Sequence, residues 1–242
     1  MAATLKNQTV LVIGASSGIG RSIAVHFARD GATVMASARR QERLEELQME
    51  LAEENIEIGI SVADAVQPAS MEELAARTVQ QFEKIDILVY ASGTNTVDRA
   101  LTKLSTKTWD EVMAVNLNGA YYATRAVLPA MRERGSGHLI YIASISGIIP
   151  DVSGAAYQAS KRGMLGLAHA IRLEEKENGI RTCVVCPGLV DTEILEKRPV
   201  KPAPETIAKA LQADDVAEAV MFVAKLPPRA VVPEMQIMPT AL

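Results

Sequence analysis

The chain contains no apolar run long enough to cross a membrane and no basic stripe. Its 25 Lys and Arg are outnumbered by 29 Asp and Glu, for a net charge of −4. The first absence argues against a membrane protein, the second against nucleic acid as a partner. The opening residues, Met1 to Gln8, lack an apolar signal core, so no export is implied and a cytoplasmic location is expected. Cysteine is scarce. Cys183 and Cys186 stand in Thr182-Cys183-Val184-Val185-Cys186-Pro187, a spacing that can serve redox chemistry or zinc. This segment, however, reads as a buried strand, on which residues three apart face opposite sides. No second ligand pair exists, so two reduced core thiols are expected and no metal site. There is no internal repeat.

What is present suits one sizeable core: 242 residues, 48% of them hydrophobic, within the range of an α/β chain forming a single domain over 1–242. Strand and helix patterns alternate from the start. Strands are expected at 9–13, 33–38, 56–62, 86–91, 138–143, 181–186 and 234–238. Helices are expected at 21–29, 41–54, 70–82, 109–134, 153–178 and 214–224, with Asp214 or Asp215 capping the last. This order predicts a parallel sheet with helices on both faces. The proline-rich stretch 199–204 is read as part of a mobile lid, with a plain surface loop as the alternative.

Gly14, Gly18 and Gly20 sit where the first strand turns into the first helix. Glycines there permit a tight turn and close backbone approach to a ligand, and a helix start offers free N–H groups to a diphosphate. Ser16 and Ser17 add hydroxyl donors. No Lys-Ser/Thr pair follows, so this is not a nucleoside-triphosphatase loop. The alternative is a turn used only for packing. At the end of the second strand an acid would bind a ribose 2′-hydroxyl and favour NAD. This chain has Ala38 there, then Arg39 and Arg40, which suit a 2′-phosphate and so NADP(H). The competing reading pairs both arginines with Glu42, Glu45 or Glu46.

Tyr157 and Lys161 are four apart, one turn along one face of a helix. An ammonium about 6 Å from a phenol, at an effective dielectric of about 20, favours phenolate by roughly 2.8 kcal/mol, or about two pKa units. That would bring a group of ordinary pKa about 10 into range for general acid–base work. Tyr-x-x-x-Lys alone also fits an ordinary amphipathic helix.

With Asn116 in Val115-Asn116-Leu117-Asn118-Gly119, Ser144 after the fifth strand, and Pro187-Gly188 followed by Thr192, these motifs together resemble the short-chain dehydrogenase/reductase family over nearly the whole chain. The resemblance implies a single-domain Rossmann fold, a doubly wound parallel sheet of about seven strands, and a homotetramer or dimer. It implies that Tyr157 donates a proton to a carbonyl oxygen, Ser144 orients that oxygen, Lys161 binds the nicotinamide ribose and lowers the Tyr157 pKa, and Asn116 holds a relay water. Gly14, Ser16, Ser17, Gly18, Ile19, Gly20, Arg39, Arg40, Val62, Ala91, Gly93, Pro187, Gly188 and Thr192, together with Tyr157 and Lys161, would form the cofactor site. Blander roles stay open: Ser144 capping a strand end, Asn116 satisfying helix backbone, Thr192 capping the next helix. His26, His138 and His169 match no motif position and read as structural.

The likeness has departures. The family often carries Asn-Asn-Ala-Gly after the fourth strand; here Tyr90-Ala91-Ser92-Gly93 removes both amides and with them the usual bracing of the sheet. After the third strand the family often offers an Asp to the adenine amine; here the nearest match is Ser61, with Asp64 three residues later. The substrate should meet Thr94, Asn95, Ile145, Ser146, Pro150, Asp151 and Leu189. The ending Met235-Gln236-Ile237-Met238-Pro239-Thr240 resembles NADP-dependent reductases of aldehydes and 3-oxo or 3-hydroxy acids. The expected activity is therefore an NADPH-dependent oxidoreductase acting on a small carbonyl or alcohol substrate (ketone, aldehyde or 3-oxo/3-hydroxy acid). One rival is a nucleotide-binding redox sensor without turnover. A sugar-nucleotide epimerase needs more chain than the roughly 55 residues after Gly188.

Overall fold

The computed structural model describes residues 4–241; Met1, Ala2 and Ala3 of the opening stretch lie outside the described residues. In chain order its elements are β1 (Thr9–Ile13), α1 (Gly18–Arg29), β2 (Thr33–Ala38), α2 (Gln41–Glu53), β3 (Gly59–Val62), α3 (Pro68–Phe82), β4 (Ile87–Tyr90), α4 (Thr106–Met113), α5 (Gly119–Arg134), β5 (Gly137–Ile142), α6 (Ala155–Glu175), β6 (Ile180–Pro187), α7 (Pro204–Ile207), α8 (Ala213–Ala224) and β7 (Glu234–Ile237). The strands form one seven-stranded sheet in the order β3-β2-β1-β4-β5-β6-β7, parallel throughout.

The central strands are apolar almost residue for residue. All five positions of β1, four of β4 and six of β5 are buried, as required of parallel strands covered on both faces. Val10, Val12, Val34, Ala36, Val89 and Val185 meet α1, α2 and α8 on one face. Leu11, Ile13, Leu88, Tyr141 and Val184 meet α3, α5 and α6 on the other. Cys183 belongs to the first layer and Cys186 to the second; both are free and buried. Among the described residues no helix is long and apolar enough to cross a membrane.

Three local expectations need correction. The third strand begins at Gly59 rather than at residue 56, because the N–H groups of Glu54, Asn55 and Ile56 turn back to the last carbonyls of α2. The N-cap position of the last helix is held by Gln212, and the expected aspartates follow in its first turn, where Asp215 closes a capping box. The Gln212 side chain accepts from the Asp215 N–H, and the Asp215 carboxylate accepts from the Gln212 N–H at 2.7 Å. Most consequential, the helix expected over 109–134 is two helices, α4 and α5, joined by a π turn at Ala114–Asn118. There the Gly119 N–H reaches the Ala114 carbonyl, five residues back. Such single π turns often mark functional sites, and this one carries Asn116.

The sheet order reverses between β1 and β4, where chain crossovers leave to opposite sides. A crevice opens there at the carboxyl ends of the strands, the usual ligand position in open α/β sheets.

Candidate active site

A cavity of about 490 Å³ occupies that crevice. Its floor is the glycine turn. Gly14 (φ +95°) and Gly18 (φ +53°) adopt backbone that favours glycine, and a Cβ at Gly14 would overlap the backbone of Ala91 and Ser92. Ser17 precedes α1 in extended conformation without its side chain capping the helix, and the first turn holds no acid. The first N–H groups of α1 and its positive dipole end are therefore offered to the cavity. Gly14, Ser16, Ser17, Gly18, Ile19 and Gly20 all line it.

The two arginines after β2 behave differently. Arg40 donates to Ser16 Oγ at 3.0 Å and Ser17 Oγ at 2.6 Å, and pairs with Glu193 at 3.0 Å. The glutamates expected as partners, Glu42, Glu45 and Glu46, are not used. Glu193 comes instead from a 3-10 turn, Glu193–Lys197, after β6, so Arg40 ties that segment to the glycine turn. Arg39 lines the cavity and has no hydrogen bond or ion pair with the described residues. It is the free cation at this end.

At the other end stand Ser144, Tyr157 and Lys161, all lining the cavity. Tyr157 enters on the first turn of α6, and Lys161 lies one turn further along its buried stripe with Ser160, Met164, Ala168 and Ile171. Lys161 Nζ sits 5.7 Å from the centre of the Tyr157 ring and donates to the Ile142 carbonyl at 2.8 Å. Burial, however, acts on both groups. It pushes the Tyr157 phenol above its usual pKa, against the pull of the neighbouring Ser144 hydroxyl. It also brings the Lys161 ammonium down to about 8. The expected depression of Tyr157 by Lys161 is therefore reversed in the protein alone, because removal from water penalises the charged form of each partner.

Ser144 ends β5 and caps the short turn Ile145–Gly147, accepting from the Ser146 N–H at 3.2 Å. Its hydroxyl donates to Ser146 Oγ at 3.1 Å, which donates to Asp151 at 2.5 Å. Asp151 also accepts from the Ser153 hydroxyl and N–H. The capping and the site positions thus coexist in one residue.

Of the remaining sequence candidates, Ala91, Gly93, Pro187, Gly188 and Thr192 line the cavity, as do Thr94, Asn95, Ile145, Asp151 and Leu189. Thr192 makes no side-chain cap, so the capping alternative does not hold for it. Five candidates, Ser61, Val62, Asn116, Ser146 and Pro150, do not line the cavity. Val62 is exposed at the end of an edge strand, and the next residues, Ala63 to Val66, face the crevice instead. Asp64 is among these and Ser61 is not. Ser146 is buried behind Ser144, and Pro150 lies outside. Asn116 is fully buried. Its Oδ1 accepts from the Thr94 N–H at 2.7 Å, and its Nδ2 donates to the Thr94 carbonyl and to Ser160 Oγ, each at 3.0 Å. Its amide thus clamps the loop after β4 to α6. The proline-rich stretch 199–204 is largely exposed and begins just beyond Arg198, the last lining residue.

Sequence reasoning passed over Arg99, Glu193, Lys197 and Arg198, all of which line the cavity. They lie in irregular segments without a spacing motif, and only the fold brings them together. Among the described residues no three His, Cys, Asp or Glu side chains gather as a metal site.

Residues 8–202 match the family model described as short chain dehydrogenase. An uncharacterized oxidoreductase of Staphylococcus saprophyticus is 32% identical over 237 residues, covering 97% of this chain and 98% of the relative. Among solved structures, the closed form of a serine dehydrogenase complexed with NADP+ is 34% identical with a TM-score of 0.88, covering 97% and 96% of the two chains. A variant of actinorhodin polyketide ketoreductase with NADPH is 30% identical with a TM-score of 0.89, covering 99% and 98%.

Proposed function

Because the chain belongs to the short-chain dehydrogenase/reductase family and is an oxidoreductase of that family, we propose that it transfers a hydride between NADP(H) and a carbonyl or alcohol substrate, with Tyr157 as general acid and base. The observation that carries this reading is the sharing of one cavity by the uncapped glycine turn, Arg39, Ser144, Tyr157 and Lys161.

The residues fit a dinucleotide. The free N–H groups at the start of α1 suit a diphosphate, and Arg39, without a protein partner, suits a 2′-phosphate. Two similar solved structures carry NADP+ or NADPH, which supports the same preference here. Lys161, Tyr157, Ala91, Gly93, Pro187, Gly188 and Thr192 would hold the ribose and nicotinamide end. When bound, the nicotinamide supplies or accepts the hydride.

The chain's own residues handle the proton. In reduction, the Tyr157 hydroxyl hydrogen moves to the carbonyl oxygen as that oxygen gains negative charge. A phenol raised by burial is fully protonated at neutral pH, as a donor must be. Ser144, beside it, orients the oxygen. Lys161, held on the Ile142 carbonyl, keeps a positive charge next to the phenolate that forms. Asn116 acts by fixing the loop from Thr94 rather than by facing the substrate.

The same proposal places both sites on one domain, 1–242, in a cytoplasmic enzyme that assembles as a homotetramer or dimer. These parts rest on the family likeness. The test is NADPH oxidation by the purified protein with a panel of ketones, aldehydes and oxo acids. Tight NADPH binding without turnover of any member would favour the redox-sensor reading instead.

A further inference from the structure

Three cations crowd the Tyr157 end of the cavity: Arg99, Lys197 and Arg198. Arg99 comes from the irregular stretch between β4 and α4, the other two from the end of the 3-10 turn after β6. Arg99 is nine-tenths buried. Its backbone packs against Gly154, the residue that opens α6 three positions before Tyr157. It donates from Nε to the Thr96 carbonyl at 3.0 Å and from Nη2 to the Lys197 carbonyl at 2.5 Å. Lys197 Nζ donates to Thr94 Oγ1 at 2.6 Å.

All these acceptors are neutral. Among the described residues none of the three cations has a carboxylate within ion-pair distance, and the acids that could have served are committed elsewhere. Glu193 pairs with Arg40 and Glu196 with Lys201. Asp151 accepts from the hydroxyls of Ser146 and Ser153 and the Ser153 N–H, and attracts Arg99 only from beyond ion-pair distance. Burial and the nearby Arg198 hold the Arg99 guanidinium below its usual pKa, against a smaller opposing pull from Asp151. A purely structural Arg99, stitching two loops together, would explain its two carbonyl bonds. It would not explain two further unpaired cations facing the same space. An anion bound there would relieve all three.

Resting on the reductase reading above, we infer that the substrate carries a carboxylate, held by Arg99, Arg198 and Lys197 while its carbonyl faces Tyr157 and Ser144. The ligand class is a short oxo acid in reduction and the matching hydroxy acid in oxidation. A guanidinium fork matches a carboxylate geometrically. The acid must be short, because a cavity of about 490 Å³ has to take much of a dinucleotide as well. This anion site lies at the opposite end of the cavity from Arg39, so it is not the place read for a 2′-phosphate.

The test measures kcat/KM with NADPH for acetoacetate, succinic semialdehyde and levulinate, each beside its methyl ester, which keeps the carbonyl and removes the charge. At least one acid should exceed its ester by about tenfold or more. In Arg198→Gln, whose wild-type side chain makes no bond that the fold needs, that acid-to-ester ratio should fall toward one; Arg99→Gln should lower it too. Esters equal to or better than every acid would overturn the carboxylate and leave the reductase standing. An acid preference that survives both substitutions would overturn the assignment to this cluster. Bound NADPH with no turnover of any acid, ester or neutral ketone would overturn both readings.

Discussion

The Tyr90 hydroxyl donates to the Val115 carbonyl at 2.5 Å, joining the end of β4 to the π turn that carries Asn116. The ring is buried, as is Asn116 of the turn, and burial raises the phenol far above its ordinary pKa. A π turn disturbs the regular carbonyl ladder, and a carbonyl partly shielded from water gains from a fixed partner. Tyr90 supplies that partner. It stands where the family often has the first amide of Asn-Asn-Ala-Gly, so the bracing expected to be lost is provided by a phenol. Gly119 completes the arrangement, since a Cβ there would overlap the Tyr90 hydroxyl.

Tyr90→Phe should therefore destabilise the protein by about 0.5–1.5 kcal/mol in urea unfolding, the net worth of one such hydrogen bond. Gly119→Ala should destabilise more in the wild type than in the Tyr90→Phe background, because the hydroxyl is the nearest clashing atom, while a close approach to the Ala65 carbonyl remains in both. Equal costs in the two backgrounds would remove the claim that these residues are matched.

Tyr157→Phe should lower kcat for carbonyl reduction by roughly 10²–10⁴-fold, the usual weight of a positioned proton donor. NADPH affinity, followed by fluorescence, should change by less than about threefold, since the ring stays and only the hydroxyl goes. A variant with kcat near that of the wild type would take Tyr157 out of the acid role.

The two arginines after β2 should separate in their effects. Arg39→Ala removes a cation without protein partners and should raise KM for NADPH about tenfold or more, with little change for NADH. Arg40→Ala breaks the bonds to Ser16, Ser17 and Glu193. It should weaken both cofactors together, because the glycine turn and the segment after β6 lose their tie. Steady-state KM values for the two cofactors check both statements, and equal losses of NADPH and NADH in Arg39→Ala would refute the 2′-phosphate assignment.

The pH dependence of kcat/KM reports groups of the free enzyme. Lys161, lowered to about 8 by burial, is charged below that pH and neutral above it. If its ammonium holds the ribose and the forming phenolate, kcat/KM for reduction should fall as pH rises through about 8, well before an exposed lysine of ordinary pKa about 10.4 would titrate. Lys161→Arg, which stays charged, should move this limb upward in pH at whatever activity it retains. An unshifted limb would assign it to another group.

How much of this was legible beforehand divides along physical lines. Alternating apolar runs and glycine punctuation repeat locally, so the strands, most helices and a parallel sheet covered on both faces could be read from the residues, while the order of the strands is set by the fold. Ser144, Tyr157 and Lys161 belong to the same class, because a strand end or a helical turn places them. Arg99, Lys197 and Arg198 belong to irregular segments whose meeting depends on where two distant loops fold, which no spacing encodes. The pKa direction of Tyr157 was missed for a related reason. The pairwise attraction to Lys161 follows from a helical turn, but the burial that outweighs it follows from the whole cavity. The π turn hid inside a pattern that reads as continuous helix, since one extra residue barely disturbs the apolar period.

His138 offers a test of burial far from the active site. It lies in β5 with both ring nitrogens buried and unpartnered. Burial, with a smaller push from Arg181, lowers its pKa to about 3 from an ordinary 6.5. Between those values the unfolded chain binds a proton that the folded chain refuses, so stability must fall as pH drops below 6.5 and level off near 3. The slope from this residue is about 1.4 kcal/mol per pH unit, and the full loss is on the order of 5 kcal/mol. His138→Leu removes the titrating group while keeping an apolar side chain in the strand. Urea unfolding of both proteins across pH 6.5 to 4 should therefore show the variant gaining on the wild type by about 1.4 kcal/mol per unit of acidification. Carboxylates titrate equally in both and cancel in the difference. Parallel stability curves would mean that His138 finds a proton-accepting partner in the folded protein, and that its burial does not govern its charge.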